Sequence, residues 1–109
     1  MKYISSRDNS SFKRLRNLVD DARTRRAERA TIIDGDHLVQ AALDAQWPIS
    51  LLVCREDVKD SALVAGILRQ VEITGLTVEI LVMAPGLFNA ISPVLAPTGL
   101  LAEISLPAE

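Results

Sequence analysis

Short apolar runs and helical stretches alternate along almost the whole chain, and this alternation restricts the fold more than any other feature. Thr31-Ile32-Ile33, Ile49–Cys54, Thr77–Met83 and Gly99–Leu106 are apolar or β-branched runs of strand length. Between them lie Leu38, Val39, Ala42 and Leu43 at helical spacing, a stretch opened by Asp57 and Asp60 that reaches Val71, and a short segment near Leu87–Ile91. Ahead of the first run, Asn9, Ser10 and Ser11 offer capping oxygens for a helix extending to Arg23. Its Phe12, Leu15, Leu18, Val19 and Ala22 fall within about 120° of one another, as on a helix lying against a core. Thr24–Ala30 is polar and basic and reads as a loop or a frayed helix end. Asp34-Gly35-Asp36 ends the first strand and caps the next helix, and Pro85 suits the first turn of the last one. Ile49–Cys54 is nearly all apolar, so both its faces should be covered. The order predicts an α/β fold, a three-layer α/β/α sandwich around a small sheet. The 109 residues suffice for one domain, 1–109, with its own core.

Several classes are excluded. Cys54 is the only cysteine, so no intrachain disulfide can form. The first residues, Met-Lys-Tyr-Ile-Ser-Ser-Arg-Asp, lack the apolar core of a secretory signal. Ile80–Ala102 carries no charge and is long enough to span a bilayer, but Pro85, Pro93 and Pro97 would break such a helix repeatedly. The chain reads as cytoplasmic, without a membrane partner.

The formal net charge of −2 hides a strong asymmetry. Residues 1–29 hold nine Lys/Arg against four Asp/Glu, a net of +5, whereas residues 30–109 hold three against ten, a net of −7. An acidic polymer is the expected partner of the first quarter. Lys13, Arg16 and Arg23 fall along one flank of the first helix, and Arg25-Arg26 with Arg29 follow on the connection. Such residues neutralise phosphates and release counterions. A solvated helix face with Asp20, Asp21 and Glu28 as local partners explains the charges equally well. Only Tyr3, Phe12, Trp47 and Phe88 could stack on bases, so recognition of nucleic acid would rest on backbone and shape, as for structured RNA.

Catalytic signatures are sparse. There is no GxGxxG or GxxxxGK[ST] loop, and one histidine with one cysteine makes a metal site improbable. Cys54 lies in an apolar strand, where a thiol is inert packing rather than the partner of His37. Asp34 and Asp36 invite an acid/base or magnesium reading beside His37, but carboxylates at a helix start are better explained as caps. No catalytic, cofactor-binding or metal residue is assigned.

Three segments carry a resemblance. Ile4-Ser5-Ser6, Asn9, Lys13, Leu15 and Leu18 are similar to an "ISS…N…VK.L..L" opening. Ile32-Ile33-Asp34-Gly35-Asp36-His37-Leu38-Val39 resembles "FLVEG.HLV", with Arg25 ten residues before Gly35. Ile91-Ser92 and Ala96-Pro97-Thr98-Gly99-Leu100-Leu101-Ala102 resemble "LS.T..PQGVLA". Together they resemble the N-terminal substrate-binding domain of SpoU-type (TrmH-like) RNA 2′-O-ribose methyltransferases. Asp34 stands for the usual Glu, Thr98 for Gln and Arg29 for Gly. The resemblance implies a mixed sheet similar to that of kink-turn-binding ribosomal proteins, and structured RNA, rRNA or tRNA, as partner. It also implies a separate C-terminal domain that binds S-adenosylmethionine, transfers the methyl group and dimerises, leaving this chain a monomer without cofactor. Lys13, Arg16, Arg23, Arg25 and Arg26 are then the expected RNA contacts, with Arg7 and Arg29 as further contributors. The alternative is an α/β module that docks a protein or a neighbouring domain without touching RNA. A small enzyme built on Asp34, Asp36 and His37 is the third reading.

Overall fold

Asn9 starts the first helix as the sequence predicts: its side-chain oxygen accepts the backbone N–H groups of Ser11 and Phe12 at 2.8 and 3.1 Å. In the computed structural model, which describes residues 1–75, 77–94 and 97–106, this helix is α1 (Ser10–Asp20). It follows strand β1 (Lys2–Ile4) and precedes α2 (Ala22–Glu28), β2 (Ala30–Asp34), α3 (Asp36–Asp44) and β3 (Ile49–Arg55). A 3-10 turn (Glu56–Val58) leads to α4 (Ala62–Ile73), β4 (Glu79–Met83), α5 (Pro85–Ile91) and β5 (Leu100–Ser105).

The strands form one sheet in the order β1-β4-β3-β5-β2. β1, β4 and β3 are parallel, while β5 runs antiparallel to both its neighbours, β3 and β2. The sheet is therefore mixed, as expected. On one face Phe12 and Leu15 of α1 and Leu87, Phe88 and Ile91 of α5 bury themselves against Val53, Leu81, Met83 and Leu101. On the other, Val39, Ala42 and Leu43 of α3 and Val64, Ile67, Leu68 and Val71 of α4 cover Leu52, Cys54, Val82, Leu100 and Ala102. These two apolar clusters make the three layers, and they account for β3 being covered on both sides. A register shift between Ile49 and Leu51, where β3 meets β5, marks a bulge at Ser50.

Four local expectations need correction. The opening residues form a strand, β1, because Ile4 is buried beside Met83 while Lys2 and Tyr3 stay exposed. The first helix ends at Asp20, not Arg23, and the basic segment after it is a helix rather than a loop. Asp21 makes the break: its backbone is extended (φ −126°, ψ 114°), and its side chain accepts the N–H of Arg23 at 3.0 Å and the hydroxyl of Thr24 at 3.0 Å. The third long helix does not open at Asp57 or Asp60; Ser61 caps it, taking the N–H of Val64 at 3.3 Å. Asp34 does not cap α3, as described below.

Candidate nucleic-acid interface

The break at Asp21 folds the basic quarter of the chain into an elbow of two helices, both packed on β2. Lys13 and Arg16 lie on α1, whereas Arg23, Arg25 and Arg26 lie on α2, so the predicted single flank is divided between two elements. Arg29 closes α2 in the left-handed region (φ 50°). The side chains of Lys13, Arg23, Arg26 and Arg29 are exposed and have no hydrogen-bond or ion-pair partner among the described residues. Arg16 stands 3.8 Å from Asp20, an exposed pair of little energetic weight. Arg7 is exposed and lies over the Phe12 ring, 6.0 Å from its centroid.

Arg25 behaves differently from its neighbours and lies within α2 rather than on a loop or a frayed helix end. It is half-buried, and its Nη1 donates to the carbonyls of Leu18 at 3.0 Å and Val19 at 2.7 Å. A helix leaves its last carbonyls without partners, and this guanidinium supplies one to the end of α1. Arg14, which sequence spacing did not single out, turns inward to bind Glu103 of β5 and Glu28 of α2. The hydrogen bonds to Glu103 hold the Arg14 guanidinium firmly in its charged form. The signal was Glu103 itself, a lone carboxylate in an apolar strand that burial obliges to find a partner.

Two of the three segments carrying the family resemblance meet at the end of the sheet where β2 and β3 finish. Ser92, just past α5, donates its hydroxyl to Asp34 Oδ2 at 2.7 Å. The N–H of Gly35 donates to Leu100 O at 2.9 Å, and that of Arg55 to Gly99 O at 2.8 Å. Arg55 Nη1 also donates to Asn89 Oδ1 at 3.0 Å. Asp34 is buried, its Oδ1 has no partner among the described residues, and desolvation raises its carboxyl above the usual range despite the Ser92 bond. It is thus a joint between β2 and the segment after α5 instead of a helix cap. Gly35 takes the N-cap position of α3 with φ 111°, and Asp36 lies in the first turn. His37 is exposed on α3 and makes no hydrogen bond with either aspartate, so Asp34, Asp36 and His37 are not assembled as a catalytic group. Cys54 is buried, and burial pushes its thiol up to about 11. Among the described residues no helix is long and apolar enough to cross a membrane, and no three His, Cys, Asp or Glu side chains cluster as metal ligands. Of the resembling residues, Ala96 lies outside those described, as do Pro107, Ala108 and Glu109 beyond the last strand.

The model of the MRM3-like substrate binding domain matches residues 9–102. A search of curated proteins by sequence gives no match. Among solved structures, the chain is similar to an rRNA methyltransferase from Sinorhizobium meliloti, with TM-score 0.78 and 21% identity over 99% of this chain and 38% of that one. It is similar to the SpoU methyltransferase AviRb from Streptomyces viridochromogenes, solved with AdoMet, with TM-score 0.71 and 21% identity over 92% of this chain and 34% of that one. A putative RNA methyltransferase of the TrmH family from Porphyromonas gingivalis gives TM-score 0.68 and 28% identity over 93% and 36% of the respective chains. The chain therefore spans under two fifths of the length of these solved structures. With the family model covering residues 9–102, and so most of both cores and the joint at Asp34 and Gly35, the chain belongs to the MRM3-like substrate binding domain family.

Proposed function

We propose that this chain is the RNA-gripping domain of an S-adenosylmethionine-dependent RNA 2′-O-ribose methyltransferase, acting on structured rRNA or tRNA in the cytoplasm. The observation that carries the reading is the elbow of α1 and α2, which turns Lys13, Arg23, Arg26 and Arg29 to solvent without acidic partners on a member of a substrate-binding family. Backbone phosphates are the natural complement of such a surface. Arg16 adds a phosphate contact at the cost of a weak pair with Asp20, and Arg7 extends the surface at the end of β1. Arg25 serves it from a fixed position.

S-adenosylmethionine supplies the methyl group in such a reaction, and the residues described here do not fit it. At the sheet end where α/β folds commonly hold nucleotides, the described residues are paired with one another, Asp34 with Ser92 and Arg55 with Asn89, and Val58 packs close to Gly99. The donor is assigned to a separate domain of a longer, dimeric protein, and no catalytic step is placed in this chain.

The test is RNA binding by Arg23→Ala/Arg26→Ala, measured by fluorescence anisotropy on rRNA and tRNA hairpins across about 50 to 200 mM salt. Affinity should fall and the salt slope should shrink by about 2. An unchanged affinity with an unchanged slope removes the assignment. A docking role has one specific observation in its favour, an apolar groove of about 370 Å³ formed by Trp47, Pro48, Ile104, Ser105 and Leu106. Loss of a protein or domain contact on Trp47→Ala, with RNA affinity intact, would support that second reading.

A further inference from the structure

We propose that the cleft where α1, α2 and β2 meet is a pocket for a single unpaired guanine base of the bound RNA. This rests on the RNA reading above and goes beyond it, because a base pocket supplies sequence discrimination that a phosphate-binding surface lacks.

The cleft is an open one of about 210 Å³, lined by Leu18, Val19, Arg25, Thr31, Ile32 and Pro93. Ordinary ligand clefts run to about 300–1,000 Å³, so this one suits one flat ring system and leaves a sugar and phosphate outside. Four of its six residues are apolar and none is acidic. Such walls favour a base, which sheds little water on entry, over a phosphate that keeps a tight hydration shell.

Arg25 gives the cleft its polarity. Its Nη1 is committed to the carbonyls of Leu18 and Val19, which fixes the guanidinium before any ligand arrives. Nε and Nη2 have no partner among the described residues, and these two nitrogens carry parallel N–H donors along one edge of the plane. Two parallel donors match two adjacent acceptors. Guanine offers O6 and N7 side by side, whereas adenine sets a donor beside N7. Proteins that recognise RNA sequence commonly take such bases from unpaired loops and bulges. The guanine would therefore sit with its O6/N7 edge on Arg25.

The experiment is a nitrogen-15 NMR titration of the 109-residue chain with GMP, AMP and inorganic phosphate, beside anisotropy on an RNA hairpin carrying one loop guanine or 7-deazaguanine. GMP should shift the amides of Leu18, Val19, Thr31 and Ile32 saturably, and AMP and phosphate should not. Arg25→Lys, which keeps the charge and loses the fork, should weaken GMP roughly tenfold or more, as should 7-deazaguanine in the hairpin. Val19→Phe leaves Arg25 and its two carbonyl bonds in place and should block GMP by filling the cleft, which keeps the test valid should Arg25→Lys disturb the elbow. Equal shifts from phosphate alone would overturn the base assignment. A hairpin that binds with steep salt dependence while GMP moves none of these amides would overturn the pocket and leave the RNA reading standing. Failure of both hairpin and GMP to bind would overturn both.

Discussion

The Arg14 guanidinium grips the buried Glu103 carboxylate through two hydrogen bonds, of 2.5 and 2.7 Å, and the same side chain reaches Glu28 at 2.6 Å. One residue thus ties α1 to α2 and to the inner strand β5 of the sheet. The Glu103 side chain is 8% exposed and that of Arg14 42%, so the carboxylate depends on the pair far more than the guanidinium does. Arg14→Met should leave a buried charge unpaired and cost about 1–3 kcal/mol, moderated by the water that reaches this site. Arg14→Met/Glu103→Leu should cost less than the sum of the two single changes. Urea unfolding of the three variants measures the coupling, and strict additivity would show that the pair holds nothing together.

Asp34 sets a pH dependence. Desolvation raises its carboxyl in the folded chain, outweighing the hydrogen bond from Ser92. A raised acid favours the folded state while protonated, so its contribution is complete below the unfolded value near 3.8 and fades as pH climbs through the folded one. Asp34→Asn removes that titration and keeps an acceptor for the Ser92 hydroxyl. Relative to this variant, the parent chain should lose melting temperature as pH rises from about 4 toward neutrality. Parallel curves would refute the assignment. Ser92→Ala, which removes the one interaction favouring the charged form, should move the loss to higher pH.

Gly99 combines a left-handed backbone (φ 100°) with close packing: a Cβ there would stand 2.5 Å from Val58 Cγ2. Gly99→Ala should destabilise by about 2 kcal/mol or more through strain and overlap together. Adding Val58→Ala should recover the overlap but not the dihedral penalty, so a partial rescue is expected. Full rescue in thermal melts would mean that the backbone conformation carries no penalty.

The Cys54 thiol should be silent in the native state. It is buried, and its ionisation is pushed up to about 11 by that burial. A disulfide reagent at neutral pH should modify it only as fast as the chain opens, and labelling should become immediate in denaturant. Rapid labelling of the folded chain would show that the layer of α3 and α4 opens locally.

Much of this architecture is legible in the residues alone. The strands β3 and β5 announce themselves because each is buried along most of its length, β4 by its buried second half and β2 by its β-branched Thr31, Ile32 and Ile33, and Val39, Ala42 and Leu43 fix the inner face of α3 by spacing. β1 escapes notice because only Ile4 of its three residues is buried. The elbow escapes for a different reason: Ala22 continues the apolar stripe of α1, while the break is made by a hydrogen-bonded aspartate whose capping depends on the turn it creates. Arg25 and Arg26 are indistinguishable as letters. Only once α2 folds back does the first meet the carbonyls of Leu18 and Val19 while the second stays in water. The role of Asp34 is equally hidden, since Ser92 reaches it from a distant part of the chain.

The placement of β5 also governs how the molecule is made. The last strand in the sequence is wedged between β3 and β2, and no direct pairing joins those two. A nascent chain that has emerged only through α5 holds β1, β4 and β3 on one side and a solitary β2 with the basic elbow on the other. Both apolar clusters lack Leu100, Leu101, Ala102 and Ile104 until then. Completing the sheet therefore requires a non-local pairing that joins distant parts of the chain, and the apolar faces of both clusters stay uncovered until β5 is in place.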